Sequence, residues 1–148
     1  MNDKIKIGIK LESSDNVKMP AKATSGSSGY DICSKVDMII PAGKFAMVPT
    51  GVFLEMPEGV EAQIRPRSGL AAKNGVTVLN APGTIDSDYR GEICVILINH
   101  NDKDFEIKSG MRIAQMVFAK TLDVELCSKD ELNSSIRGAG GFGSTGMQ

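Results

Sequence analysis

The sequence predicts an all-β domain, a sandwich or barrel of short strands. Three observations carry that prediction. Short apolar runs recur along the 148 residues, and sixteen glycines and six prolines interrupt them at close spacing. Helix signals are weak throughout. Short strands with turn residues between them bury their apolar faces only by stacking into layers or closing on themselves.

The elements follow in order. "IKIGIKL" (5–11) alternates with period two, as a half-buried strand does. "DMIIPAG" (37–43) and "FAMVPTGVFLEMPEG" (45–59) break at Pro and Gly, which mark turns. "VEAQIRP" (60–66), "VTVLNAPG" (76–83), "EICVILINH" (92–100), "FEIKSG" (105–110) and "RIAQMVFAK" (112–120) continue the pattern. "SGLAAKNG" (68–75) predicts one or two helical turns, with Ser68 near the start and Gly75 after the end. "SKDELN" (128–133) has capping-box spacing, but the run is too short to carry a helix. No repeat period is present. The expected organisation is one β domain over residues 1–135 and a flexible glycine-rich arm over 136–148.

A chain of this length holds a sizeable core. Its composition, 41% hydrophobic and 24% charged, is that of an ordinary globular domain. A net charge of −1 creates no global field for nucleic acid or a membrane surface, so a polyanionic ligand must meet local cations. No nucleic-acid or membrane partner is expected. Cys33, Cys94 and Cys127 are odd in number, far apart and without a CxxC pair. That argues against a disulfide framework or zinc site and for a reducing compartment. With no apolar leader at Met1–Lys4, a cytoplasmic location is expected.

Four stretches hold more polar chemistry than strands and turns require. "RPRSGLAAKNG" (65–75) places Arg65 and Arg67 two apart, on one side if the strand persists, with Ser68 and Gly69 at the helix start. Two cations beside free N–H groups suit a phosphate, although a solvated basic turn has the same composition. "NAPGTIDSDYRGE" (80–92) joins turn residues to Asp86, Asp88, Tyr89, Arg90 and Glu92. It reads as a polar β-hairpin or a site, and it lacks the glycine and distal glutamate of an EF-hand. "SGYDICSK" (28–35) sets Asp31 inside a strand-like run, which is costly unless the acid is paired or lies on an exposed edge. The tail "RGAGGFGSTG" (137–146) carries a Gly-x-Gly-x-x-Gly spacing, but no strand precedes it and no helix follows, so it is no dinucleotide fingerprint. His100, the one histidine, reads as a loop residue.

Taken together and in this order, "GYDI" (29–32), "RPRSGLA" (65–71), "NAPGTIDSDYRGE" (80–92), "GMRIAQMVF" (110–118) and "RGAGGFGSTG" (137–146) resemble the five motifs of the trimeric dUTP pyrophosphatase (dUTPase) family. The resemblance spans residues 28–146. It implies a homotrimer of distorted jelly-roll, barrel-like sandwich subunits with one short helix, whose C-terminal arms are exchanged between subunits. It implies Mg²⁺-dependent hydrolysis of dUTP to dUMP and diphosphate, at sites built from three chains.

Residue by residue, Asp86 matches the family's water-activating carboxylate, and an ionised carboxylate can accept that proton. Asp31 matches the acid that holds Mg²⁺ through water, the usual mode for this cation. Arg67, Ser68, Gly69 and Gln115 match phosphate-binding groups. Arg112 reads as structural. Asn80 and Gly83 resemble the uracil readers. Tyr89 resembles the ring that packs under the sugar and leaves no room for a 2′-hydroxyl. In the arm, Phe142 resembles the ring that stacks on uracil, while Arg137, Gly143, Ser144 and Thr145 resemble the γ-phosphate clamp. Two rivals share this fold: a dCTP deaminase, which needs a different motif at 80–92, and a non-catalytic nucleotide-binding regulator, which needs neither Asp86 nor the arm.

Overall fold

The computed structural model describes residues 3–147; Met1, Asn2 and Gln148, the ends of the expected leader-free N-terminus and arm, lie outside the described residues. The strands are β1 (Gly8–Leu11), β2 (Tyr30–Cys33), β3 (Met38–Ile40), β4 (Phe45–Pro49), β5 (Val52–Glu55) and β6 (Val60–Arg65). One helix, α1 (Ser68–Asn74), leads to β7 (Val76–Val78), β8 (Gly83–Ile85), β9 (Cys94–Asn99), β10 (Phe105–Ile107) and β11 (Arg112–Lys120).

Every pairing is antiparallel. One sheet runs β2-β11-β6-β8 and another β4-β9-β7, with the two-stranded pairs β1-β5 and β3-β10 beside them. The result is an all-β sandwich with one short helix and no closed barrel. The two-residue period decides what faces the core. In β6, Val60, Ala62 and Ile64 are buried, while Glu61, Gln63 and Arg65 point outward. Val95, Leu97 and Val48 enter the same core from the other sheet. Asn99 is buried among them and satisfied: its amide donates to the Ile40 and Lys103 carbonyls, and its oxygen accepts from Asn101 N–H.

The helix forms where the sequence places it. Gly75 ends it in the left-handed region (φ 63°), donating its N–H to the last turn. Ser68 makes no cap; it is the first helical residue, and Arg67 holds the capping position without a side-chain bond. Residues 128–133 form no helix.

Two expectations change. Pro66 stops β6 at Arg65, so the two arginines part. Arg65 bonds Gln63 Oε1, while Arg67 turns to Asp31. Residues 80–92 form no hairpin, because β8 pairs with β6 while β9 pairs with β4 and β7; β7 and β8 likewise lie in different sheets. The loop between them crosses from one sheet to the other and carries Asn80 across the end of the sandwich.

After Thr121, whose N–H donates to Gly59 O, residues 122–147 form no helix or strand and are almost all exposed.

Candidate active site

Asp31, Arg67, Arg112 and Gln115 converge on one edge of the four-stranded sheet. Gln115 lies opposite Asp31 in the β2–β11 register, and both point outward because Ile32 and Ala114 take the core positions. Gln115 Nε2 donates to Pro66 O at 2.9 Å, tying β11 to the loop before α1. The half-buried Asp31 carboxylate sits between two guanidiniums, 3.5 Å from Arg67 Nε and 3.5 Å from Arg112 Nη1. Arg67 Nη1 also donates to the Arg112 carbonyl at 3.2 Å. Two cations against one acid leave a net positive cluster, suited to phosphate oxygens. The N–H groups of Ser68 and Gly69, in the first turn of α1, add donors with no intrahelical partner. Arg112, expected to be structural, is therefore part of the cluster. Cys33 lies near it, and burial pushes its thiol above the ordinary range, so it is a packing residue rather than a nucleophile.

The second group lines a cleft of about 420 Å³. Asn80, Gly83, Asp86 and Tyr89 form its polar part, with Ile64 and Ile96 among its apolar lining. Gly83 lies close against its neighbours: a Cβ there would stand 3.3 Å from Ile64 Cβ and 3.4 Å from Asn80 Nδ2. Residues 86–92 are an internally bonded turn. Tyr89 N–H donates to Asp86 O at 3.1 Å, Arg90 Nη1 to Ser87 O at 2.6 Å, and Tyr89 OH to Glu92 O at 2.9 Å. The Tyr89 ring folds over Gly91, where any side chain would collide with it. The main chain at Asp86 and Tyr89 is thus tied together within one turn, and the Tyr89 hydroxyl is held at Glu92.

Glu92 closes this turn and was given no role by its place in the sequence. Its Oε1 accepts Gly51 N–H and Lys35 Nζ, each at 2.8 Å. Burial pushes its carboxyl up, but Lys35 and the Gly51 N–H outweigh that and hold it below the ordinary carboxylate range. Hydrogen bonds to Glu12 and Glu92 raise Lys35 above the usual lysine range.

The third group is the arm. Arg137 Nε donates to Gly140 O, and turns at 140, 144 and 146 bond only within the segment. Phe142 is fully exposed at φ 50°, its ring clear of the body.

These groups do not meet within one chain. Asp31 pairs across β11 with Arg65; Asp86, one residue past β8, falls opposite Glu61 on the far side of β6. Three strand spacings and four residues of rise separate the two carboxylates by about 20 Å.

The dUTPase family model matches residues 15–146. This chain belongs to the dUTPase family. The match takes in the Asp31 cluster, the cleft and the arm. A deoxyuridine 5′-triphosphate nucleotidohydrolase of Clostridium tetani is 55% identical over 138 residues, covering 93% of this chain and 94% of that relative. One from Rhizobium rhizogenes is 52% identical over 143 residues, covering 94% and 92%. Among solved structures, the Staphylococcus bacteriophage 80alpha dUTPase with dUpNHpp has a TM-score of 0.87 and 28% identity, covering 95% of this chain and 98% of that one.

Proposed function

We propose that the chain is a dUTP diphosphatase, cleaving dUTP to dUMP and diphosphate. One observation carries the reading: a carboxylate, an aromatic ring and a small amide-lined recess share one cleft in a chain of this family. The named relatives act on deoxyuridine 5′-triphosphate, and the bacteriophage enzyme was solved with a dUTP analogue. Asn80 and the backbone at Gly83 line the cleft and would offer donors and acceptors to a uracil edge. Tyr89 closes the space under the sugar. Asp86 accepts the proton of a water that attacks the α-phosphorus in line; the bond to the α–β bridging oxygen breaks, and diphosphate leaves with that oxygen. Arg67, Ser68, Gly69 and Gln115 bind the phosphate chain, and fixed donors of this kind act where charge develops.

Mg²⁺ fits the donor set in one mode. Among the described residues no three acidic, His or Cys side chains form a metal cage. Asp31 is a single carboxylate whose lone pairs are not exhausted by two 3.5 Å contacts, which suits a hydrated cation shared with substrate phosphates. When bound, the ion supplies charge neutralisation on the phosphoryl oxygens.

We further propose a homotrimer in which motifs from different chains complete each site. The gap of about 20 Å between Asp31 and Asp86 supports this. So does the exposed segment after β11, where Leu122, Val124 and Leu126 alternate with Asp123 and Glu125. Such a stripe has the alternation of a strand but pairs with nothing in its own chain among the described residues, as a segment that pairs with another subunit would. Arg137, Phe142, Gly143, Ser144 and Thr145 would then close over nucleotide held by another subunit. In a cytoplasmic setting the reaction keeps uracil out of DNA and supplies dUMP for dTMP synthesis.

The experiment is diphosphate release from dUTP, dCTP, dTTP and UTP, with and without Mg²⁺. Release from dUTP alone, dependent on Mg²⁺, is expected. Ammonia from dCTP would make the chain a deaminase, and binding without turnover would make it a regulator.

A further inference from the structure

Lys35 lies outside the five motifs that carry the family likeness and does not line the cleft. Its main chain is pinned on both sides: its N–H donates to Pro49 O at 3.0 Å, and its carbonyl accepts Ser109 Oγ at 3.1 Å. From that fixed point its ammonium reaches Glu92 Oε1 at 2.8 Å and Glu12 Oε2 at 2.5 Å.

Glu92 is the residue through which the 86–92 turn meets the rest of the sandwich. Its carbonyl takes the Tyr89 hydroxyl, and its carboxylate takes Gly51 N–H. Ile93 continues the seam: its N–H donates to Val52 O at 2.8 Å, and its carbonyl accepts Thr50 Oγ1 at 2.6 Å. The 50–52 turn is therefore a bed on which the end of the 86–92 turn lies. Lys35 supplies the charge that keeps Glu92 seated there. Without it, the Glu92 and Glu12 carboxylates share one small region with no cation between them. Like charges at that range repel, and Glu92 is the less exposed of the two.

We infer that Lys35 is a positioning residue for sugar selectivity: by holding Glu92 on the 50–52 turn, it fixes where the Tyr89 ring stands beneath the substrate's sugar. The inference rests on the reading of the cleft as the dUTP site. The Lys35–Glu92 pair is only partly exposed, so loss of the clamp is read from selectivity and from the ring's place rather than from melting temperature alone. Rejecting one extra hydroxyl demands a ring held to within a fraction of an ångström, and small misplacements have large kinetic effects.

The test compares kcat/KM for dUTP and UTP in the wild type, Lys35→Met, Lys35→Arg and Glu12→Gln. Lys35→Met keeps the stem and loses the charge; its dUTP/UTP ratio should fall about tenfold, on the scale of a modest misplacement. Lys35→Arg should recover most of the ratio. Glu12→Gln should leave it unchanged, because Glu12 bonds Lys35 but no residue of the 86–92 turn.

A second readout needs no turnover. The chain has two tyrosines and no tryptophan, so ring NMR signals separate Tyr89 from Tyr30. In Lys35→Met the Tyr89 ring signals should move and those of Tyr30 should not. Should Lys35→Met fail to fold, Glu92→Gln removes the same ion pair and should give the same two changes. An unchanged ratio, unmoved Tyr89 signals, or an equal loss in Glu12→Gln would each overturn the inference. If the wild type does not prefer dUTP, the cleft reading fails instead, and the tyrosine signals still test the clamp.

Discussion

Asp86 has no cation to hold it: among the described residues its side chain makes no ion pair and no hydrogen bond within the chain. Asp31, by contrast, lies between two guanidiniums. That difference separates the two carboxylates chemically. The Asp31 carboxylate is already engaged by two guanidiniums, whereas the Asp86 carboxylate has its oxygens open to a water. Asp86→Asn keeps the size of the side chain and removes its basicity. Turnover should fall by about 10²–10⁴-fold, the usual worth of a positioned general base, with nucleotide affinity retained. Single-turnover hydrolysis and analogue titration measure the two separately. A rate within about threefold of wild type would remove Asp86 from that role. That Asp31 needs a cationic neighbour was legible in the sequence, because an acid inside a strand-like run is costly unless it is paired; the role proposed for Asp86 follows from the family resemblance. Lys35 and Arg112 were not legible in their roles. Their partners lie on other elements, and ordinary surface lysines and arginines look the same until the chain folds.

At the scale of elements, period-two alternation and Pro/Gly breaks placed the strands, because each strand buries one face. Alternation says nothing about which strand lies beside which. That is why residues 80–92 read as a polar hairpin although β8 pairs with β6 and β9 with β4 and β7. The helix was legible from both ends only in part: Gly75 does stop it, whereas Ser68 gives up the capping position to an arginine that is drawn to Asp31. Composition alone predicts the arm, since five glycines among the last twelve residues disfavour packing. Truncation after Ser135 tests what that element does. The removed residues make no hydrogen bond to the body among the described residues, so the melting temperature without ligand should stay within about 2–4 °C, the shift that 1 kcal/mol gives a domain of this size. Hydrolysis should nearly vanish, and stabilisation by a non-hydrolysable dUTP analogue should shrink. Full activity in the truncated chain would make the tail a mere terminus.

The whole molecule poses the sharpest question, because a single chain holds all the parts and does not bring them together. The net positive cluster at the β2 edge and the cleft beyond β8 sit at opposite ends of one sheet order, and neither strand can move without unpairing the core strands β11 and β6. The arm, beyond an exposed stretch that starts after Thr121, adds a third separated part. The proposed assembly of copies would join the parts without bending any of them, because a closed ring would set one chain's edge against its neighbour's cleft. That arrangement has a consequence that two inactive proteins can reveal. Chains carrying Asp86→Asn have intact arms, and chains cut after Ser135 have intact Asp86. Each alone should be inactive. Unfolded together and refolded as mixed trimers, some sites would combine an intact Asp86 from one chain with an intact arm from another. Activity should return in proportion to the fraction of such sites, and light scattering should show trimers throughout. Mixtures that exchange subunits, as mass spectrometry of differently labelled chains would establish, yet stay inactive would mean that each arm serves only its own chain.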